Sequence, residues 1–167
     1  MLALRPVKVS TDNDCLHTLA AGKTKPSDAT LDDFRALRTK VNKAALNGRI
    51  SAYYMDSTWE TQLPTFKTAA EQNVYQRLPD GTAILDGYPV IWTDVLQSFT
   101  TSVAADAPIA VFGAMSFWWM GEHGTPRLDT SQHVYFANDQ LAGRVIEEID
   151  LDYAAVDATA ALITAAL

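Results

Sequence analysis

The chain has 167 residues, of which 48% are apolar and 20% are charged, and this composition excludes a disordered chain. Its formal net charge of −7 argues against a surface that coats nucleic acid, because phosphate contacts require clustered lysines and arginines. The single cysteine, Cys15, excludes an intramolecular disulfide framework, and the length fits one domain or one domain with a small lobe.

The sequence does not predict export or membrane insertion. The most apolar stretch, residues 103–120, is interrupted by Asp106 and Pro108, so we expect no transmembrane helix. The first nine residues lack an apolar run followed by a small-residue cleavage site, so we expect no signal peptide. A soluble, cytosolic protein is the resulting expectation.

The first third of the chain predicts one strand and two helices. Residues 2–10 alternate like a strand, and residues 11–21 suit a short helix. Residues 31–46 carry the clearest helical pattern, with Thr30 as a plausible N-cap and Gly48 as a C-cap.

The next segment predicts a strand followed by a second main helix. Residues 50–55 are rich in aromatic side chains and suit a strand. Ser57 is placed to cap a helix that starts at Thr58, with Glu60 completing a capping box. Pro64 must kink or split that helix, because proline lacks the backbone N–H that the helix needs.

From residue 75 onward the pattern favours strands. Residues 78–82 form a proline- and glycine-containing turn, and Asp86-Gly87 suits a tight hairpin turn. Three short apolar strands are predicted in this region, at residues 82–85, 88–92 and 108–112.

The last third of the chain predicts a long strand within less regular segments. Residues 114–120 suit a strand or a short helix, residues 121–126 a loop, and residues 127–131 the start of a strand. Residues 140–153 alternate and predict a long strand. Residues 154–167 suit either a short helix or a last buried strand, and we favour a strand over residues 160–164. Together the elements predict an α+β fold with a central mixed sheet flanked by two main helices.

The histidines and the cysteine do not form a convincing metal site. Cys15 and His17 are spaced like a ligand pair, but a structural zinc site needs four ligands in close pairs and no second pair is nearby. An ordinary cysteine and histidine are far more common in such a pattern, so we expect no metal and no cofactor.

Two groups of residues were considered for catalysis. Glu122 and His123, with Asp129 downstream, could form a carboxylate-oriented general base, but no nucleophile motif accompanies them. Glu147 and Glu148 are adjacent, and on a strand their side chains point to opposite faces, so they cannot share a substrate. We therefore expect no catalytic residues.

The densest aromatic cluster is a candidate subunit interface. It consists of Phe117, Trp118, Trp119 and Met120. Core packing is the commoner role of such a cluster. Four consecutive large side chains on a strand cannot all face inward, however, so we expect at least one to contact a partner.

The order of the segments carries a resemblance. The relevant stretches are YMDSTW at residues 54–59, LDGYPVIWTDVL at 85–96, FGAMSFWW at 112–119 and NDQLAGRVIEEID at 138–150. In this order and spacing they resemble segments of the major capsid proteins of tailed bacteriophages, which share the Hong Kong 97-type capsid fold.

The resemblance implies a domain organisation. Residues 1–133 would form the axial domain, residues 134–153 the long strand of the peripheral domain, and residues 154–167 a segment that returns to the axial domain. The family's N-terminal arm, extended loop and spine helix have no counterpart in the sequence. The chain would therefore be the axial domain with part of the peripheral domain, as in a truncated or degenerate copy.

The resemblance also implies a function. The chain would be a structural subunit of a phage or prophage capsid, found in the virion and, before assembly, in the bacterial cytoplasm. Its partners would be copies of itself in pentamers and hexamers, with no membrane and no specific nucleic-acid contact. Two alternatives remain at this point: an encapsulin-like compartment shell, and a small α/β enzyme that uses His123 with a carboxylate.

Overall fold

The computed structural model describes residues 15–46, 51–68, 71–101, 106–135, 140–155 and 157–165. The chain divides into two compact units. The first comprises Met1–Ser116 and Ala155–Leu167, and we call it the sheet unit. The second comprises Phe117–Ala154, and we call it the ribbon. The strand predicted at residues 2–10 and the C-cap predicted at Gly48 lie outside the described residues.

A seven-stranded mixed sheet forms the centre of the sheet unit, as the sequence predicted. Its strands are β1 (Leu16–Thr18), β2 (Ala52–Met55), β3 (Tyr75–Arg77), β4 (Ala83–Leu85), β5 (Tyr88–Trp92), β6 (Pro108–Gly113) and β9 (Thr159–Ile163). Their order in the sheet is β1-β9-β6-β2-β5-β4-β3. The pairs β1–β9 and β2–β5 are parallel and the other neighbours are antiparallel.

One helix, α1 (Leu31–Lys40), packs its apolar side against this sheet. Phe34 and Leu37 are completely buried. The ring of Phe34 meets that of Tyr53 on β2 edge to face, with centroids 6.0 Å apart. The Tyr53 hydroxyl donates a hydrogen bond to the Phe34 carbonyl oxygen at 3.2 Å. Burial raises the pKa of this phenol, so it remains a protonated donor.

The main helix is shorter than predicted. It begins at Leu31, where the Asp33 carboxylate accepts a hydrogen bond from the Thr30 backbone N–H at 2.8 Å. It ends at Lys40 because Val41 adopts an extended conformation. A separate one-turn helix, α2 (Lys43–Leu46), follows. The Asn42 side-chain oxygen accepts a hydrogen bond from the Ala44 backbone N–H at 2.9 Å. The single helix predicted over residues 31–46 is therefore wrong in its extent.

Two other helix predictions are wrong. Within the segment predicted as a helix over residues 11–21, Leu16–Thr18 is strand β1, which pairs in parallel with β9. The predicted second main helix is instead a pair of 3-10 turns, Ser57–Thr61 and Leu63–Thr65. Pro64 lies at the start of the second turn, where a missing N–H is tolerated, and the predicted helix is split just before it. The N-cap is Asp56, not Ser57, and its carboxylate accepts from the Thr58 N–H at 2.9 Å.

The hairpin that joins β4 and β5 is held to α1 by a carboxylate. Asp86 and Gly87 both have positive φ, 47° and 87°, which is the backbone of the tight turn that the sequence predicted. The Asp86 carboxylate lies 3.1 Å from Arg35 Nε and 2.8 Å from an Arg38 guanidinium nitrogen. The Arg38 guanidinium also lies 5.5 Å from the centroid of the Tyr88 ring. Hydrogen bonding to Arg35 lowers the pKa of Asp86, although partial burial acts against it.

The contacts of Asp86 with Arg35 and Arg38, which we call the clamp, predict that the stability of the fold depends on pH. Because the folded-state pKa of Asp86 lies below the usual value of 3.8, its contribution is complete at neutral pH and is lost as the pH falls below that value. Asp86→Asn tolerates positive φ but removes the charge, and we expect it to lower stability by roughly 1 kcal/mol at pH 7. Urea unfolding at pH 7 and pH 3 measures this: the difference between wild type and variant should shrink at pH 3. Asp32→Asn, at a carboxylate that is 93% exposed, serves as the control.

A second prediction concerns the close approach of β6 to β9. Gly113 has φ of +151°, and a Cβ built on it would lie 2.6 Å from the Thr159 Cα, which is backbone and cannot turn aside. We expect Gly113→Ala to lower the free energy of unfolding by about 2 kcal/mol or more. Gly22→Ala is the matched control, since Gly22 has φ of +86° but no described heavy atom within 4 Å of that position. Equal losses in the two variants would contradict the close-packing argument.

Candidate subunit interface

The ribbon consists of two long antiparallel strands, β7 (Trp118–Tyr135) and β8 (Gln140–Tyr153). The long strand predicted at residues 140–153 is confirmed with the same bounds. The loop predicted at residues 121–126 is wrong, because these residues belong to β7. The register passes from His123↔Glu148 to Arg127↔Ile146, so three residues of β7 oppose one of β8 and form a bulge.

One face of the ribbon is largely apolar and exposed. Residues opposite each other in an antiparallel pair lie on the same face, and alternate residues of β8 share that face. By the register, this apolar face carries two charged residues, Glu122 and Glu147, and five apolar ones, Met120, Leu128, Val145, Ile149 and Leu151. The exposed fractions of these five are 59%, 66%, 68%, 51% and 60%, respectively. Aliphatic side chains grouped at this exposure are typical of a surface that another surface covers.

The opposite face is charged. It carries Glu148, Asp150 and Asp152 on one half of β8, and Arg144 on the other half. The Asp129 carboxylate of β7 accepts hydrogen bonds from Arg127 Nε at 2.7 Å and from an Arg144 guanidinium nitrogen at 2.9 Å. These two bonds lower the pKa of Asp129. The charged face is therefore acidic at the end that holds Asp152. At the other end, both arginines are paired with Asp129.

The predicted aromatic interface lies where the ribbon begins. Phe117 ends a 3-10 turn, Met115–Phe117, and Trp118 is the first residue of β7, so both structures weighed for residues 114–120 occur in turn. Phe117 and Trp118 are half-buried, whereas Trp119 and Met120 are 68% and 59% exposed. Consecutive strand residues point to opposite faces, so Met120 belongs to the apolar face and Trp119 to the charged one.

The residues weighed for catalysis do not assemble into a buried site. His123 and Glu148 are cross-strand neighbours on the ribbon, and both are exposed. The groove beside them is lined by Gly121, Glu122, Glu147, Ile149 and Asp150 as well, and all of these residues are exposed. Asp129, the carboxylate considered as a partner for the histidine, is bridged by two arginines instead.

Cys15 and His17, which were weighed as a metal-ligand pair and rejected, make different contacts. The Cys15 thiol donates a hydrogen bond to an Asp157 carboxylate oxygen at 2.6 Å. His17 Nε2 lies 3.3 Å from an Asp33 carboxylate oxygen. Among the residues that the structure describes, no group of three or more histidine, cysteine or carboxylate side chains is placed to hold a metal ion. The helices found in that part of the chain are too short or too polar to cross a bilayer.

The sequence contains a pattern that indicates the apolar face, although this pattern was not used to predict an exposed surface. Ile149 and Leu151 alternate with Glu148, Asp150 and Asp152 along β8, and this alternation predicts a strand without saying whether its apolar side is covered. In a layered fold, a second layer of helices or strands would cover such a face. Which strands pair in the ribbon, and whether another layer covers them, depends on contacts between distant segments. The pattern of a single strand does not contain that information.

Comparison with known proteins gives the same fold. The model of the phage capsid family matches residues 11–163. A search of curated protein sequences finds no match.

The similar solved structures include the following three, each of which matches over 90% of this chain. One is the capsid of an empty GTA particle, with 17% identity and a TM-score of 0.58 over 50% of that chain. The capsid of the native GTA particle has 17% identity and a TM-score of 0.60 over 49% of its chain. A chain from Mycobacterium phage Ogopogo has 15% identity and a TM-score of 0.52 over 54% of its length. The present chain thus spans about half the length of these similar chains.

The exposure of His123 predicts that it can be removed without effect. We expect His123→Ala to change the free energy of unfolding by no more than about 0.5 kcal/mol, because exposed side chains contribute little. Phe34→Ala, at a completely buried ring, should cost about 3–5 kcal/mol. Urea unfolding of both variants measures the contrast. A large loss in the His123 variant would mean that this side chain has a structural or catalytic contact that its exposed position does not suggest.

Proposed function

The chain belongs to the phage capsid family, and on that basis we propose that it is a structural subunit of an icosahedral bacteriophage or prophage capsid shell. The observation that carries the proposal is the family match, which runs from residue 11 to residue 163 and so includes both units. The fold also supports the proposal. The chain, with its mixed sheet and its ribbon, is similar to two GTA capsid structures over 90% of its length.

We assign the two units to the domains of a capsid protein. Residues 1–133 form the axial domain in this proposal, residues 134–153 the long strand of the peripheral domain, and residues 154–167 the returning segment. The position of β9 supports the return, since β9 lies between β1 and β6 in the central sheet. The proposed boundary after residue 133 falls within β7, and the compact ribbon begins earlier, at Phe117.

The proposed partners are further copies of the chain. A shell subunit acts through interfaces, and heterologous contacts that close around an axis generate rings such as pentamers and hexamers. The exposed Trp119 and Met120 are suited to such contacts, because aromatic residues and methionine are enriched at interface cores. In this proposal the protein is a component of the virion, and no residue has a catalytic role.

Self-association of the chain tests the proposal. We expect a monomer of 18.3 kDa at low micromolar concentration that associates reversibly as the concentration rises. The candidate contact at Trp119 and Met120 is small, and interfaces below about 1,200 Å² are commonly transient. The net charge of −7 adds repulsion that salt screens, so association should strengthen with ionic strength. Sedimentation velocity over a range of concentrations and salt measures both effects.

A pair of variants locates the contact. Changing both Trp119 and Met120 to serine should weaken association without unfolding the chain, since both side chains are mostly exposed. Ile91→Ser is the matched control, at an exposed apolar residue of the sheet unit. A chain that stays strictly monomeric at all concentrations and salt strengths would contradict the proposed function. Equal effects of the two changes would contradict the proposed contact.

A further inference from the structure

The negative charge of the chain is concentrated in the ribbon. Residues 117–154 contain seven aspartates and glutamates and two arginines, so the ribbon carries five of the chain's seven net negative charges. Both arginines are ion-paired with Asp129. Residues 117–126 and 145–154, which we call the acidic half of the ribbon, contain five carboxylates and no lysine or arginine. The field of the acidic half therefore attracts a cationic surface.

The charged face of the acidic half has a gap at Gly121. Asp150 lies opposite Gly121 in the register, and Glu148 lies opposite His123. No described heavy atom lies within 4 Å of a Cβ built on Gly121, so the Asp150 carboxylate can be approached across β7. Trp119 lies on the same face, two residues before the gap, and is 68% exposed. An exposed indole ring beside carboxylates suits a lysine ammonium group, because cation–π attraction adds to ion pairing.

The sheet unit contains a surface of the opposite charge. Residues 34–55 contain five lysines and arginines and no aspartate or glutamate. The two arginines that α1 contributes to this stretch are held by the clamp. Lys40 and Lys43 are exposed, and neither forms an ion pair with the residues that the structure describes. These two lysines are therefore available to an acidic partner.

The fold presents the two lysines together. Lys40 is the last residue of α1, and Lys43 is the first residue of α2. Between them, the Asn42 backbone N–H donates a hydrogen bond to the Asp157 carbonyl oxygen at 2.9 Å and fixes the turn. The Asp157 carboxylate accepts a hydrogen bond from the Cys15 thiol and pairs with neither lysine.

The spacing of the two surfaces agrees. Glu148 and Asp150 are two residues apart on a strand, which places their Cα atoms about 7 Å apart. Lys40 and Lys43 are three residues apart, so their Cα atoms lie at most about 11 Å from each other. Lysine side chains are long and flexible, so the two ammonium groups can reach both carboxylates at once.

We propose that the acidic half of the ribbon binds Lys40 and Lys43 of a second copy of this chain. In this contact the two lysines pair with the carboxylates of Glu148 and Asp150, beside the ring of Trp119. The contact joins two different surfaces, so it is heterologous, and a heterologous contact that closes on repetition generates a ring. The inference rests on the proposed function, because it identifies two surfaces through which capsid subunits would associate.

The contact agrees with association that strengthens with ionic strength. Repulsion between the net charges of two copies acts over long distances and is removed by salt. Close ion pairs that are partly buried are screened much less. Salt therefore removes the repulsion while it leaves most of the attraction at the contact.

Charge exchange tests the contact. Lys40→Glu with Lys43→Glu makes both surfaces acidic, and we call this the acidic variant. Glu148→Lys with Asp150→Lys makes both surfaces basic, and we call this the basic variant. Each variant alone should associate about tenfold more weakly than wild type or worse, because its two surfaces repel each other. An equimolar mixture should recover association, because every contact between the two variants again joins a basic surface to an acidic one. Sedimentation velocity at one ionic strength measures these samples.

Lys25→Glu with Lys67→Glu is the matched control for the acidic variant. Both lysines are exposed and belong to the sheet unit, and the change in net charge is the same. This control should associate within about twofold of wild type at 0.15 M salt, where the Debye length is about 8 Å. Glutamate at the end of a helix is unfavourable, so Lys40→Gln with Lys43→Gln is a second variant, which should weaken association about threefold. Urea unfolding establishes that every variant is folded.

The outcomes separate this inference from the proposed function. Weak association of each exchanged variant, with recovery in the mixture, supports the inference. A mixture that does not recover overturns it, and so does a loss in the matched control that equals the loss in the acidic variant. If the inference is overturned while the wild-type chain still associates, the proposed function stands and the subunits meet through other surfaces. A wild-type chain that stays monomeric at every concentration contradicts both.

Discussion

A two-stranded ribbon has no second layer, so the apolar side chains that it carries remain in water until another surface covers them. This constraint separates the two units of the chain. The sheet unit covers its own sheet: α1 buries Phe34 and Leu37 completely, and Tyr53 and Phe112 lie in the core with them. The ribbon instead leaves Val145, Leu151 and their neighbours exposed. A monomer gains nothing from such a surface, whereas a subunit of an assembly gains an interface.

The parts of the fold that depend on local interactions were predictable from the sequence. The β4–β5 hairpin follows from Asp86-Gly87, whose backbone preference is a property of those two residues. The strand β8 follows from its own alternation. The incorrect predictions involve distant contacts. β1 is a strand because Leu16 pairs with Ala161, far along the chain, and three residues alone do not contain that information. The segment after Asp56 has helical capping signals, but it forms two 3-10 turns, in which Trp59 and Leu63 are buried and the exposed Pro64 prevents a continuous helix.

The candidate interface was predictable only in part. The aromatic cluster at Phe117–Met120 stood out by composition, and two of its members are among the most exposed apolar residues described. The clamp formed by Arg35, Arg38 and Asp86 could not be predicted, because it joins a helix to a hairpin tip about fifty residues away. The exposure of β8 also could not be predicted. A pattern of alternation specifies which residues share a face, but whether that face is covered depends on what packs against it.

Amide hydrogen exchange along β8, measured at low and at high protein concentration, tests most directly whether the ribbon is a surface for self-association. The account predicts that amides of the ribbon exchange rapidly in dilute solution and become protected as the chain associates. Amides of the buried strands β2 and β6 should be protected at both concentrations. Ribbon amides that exchange equally fast at both concentrations while the chain associates would contradict it.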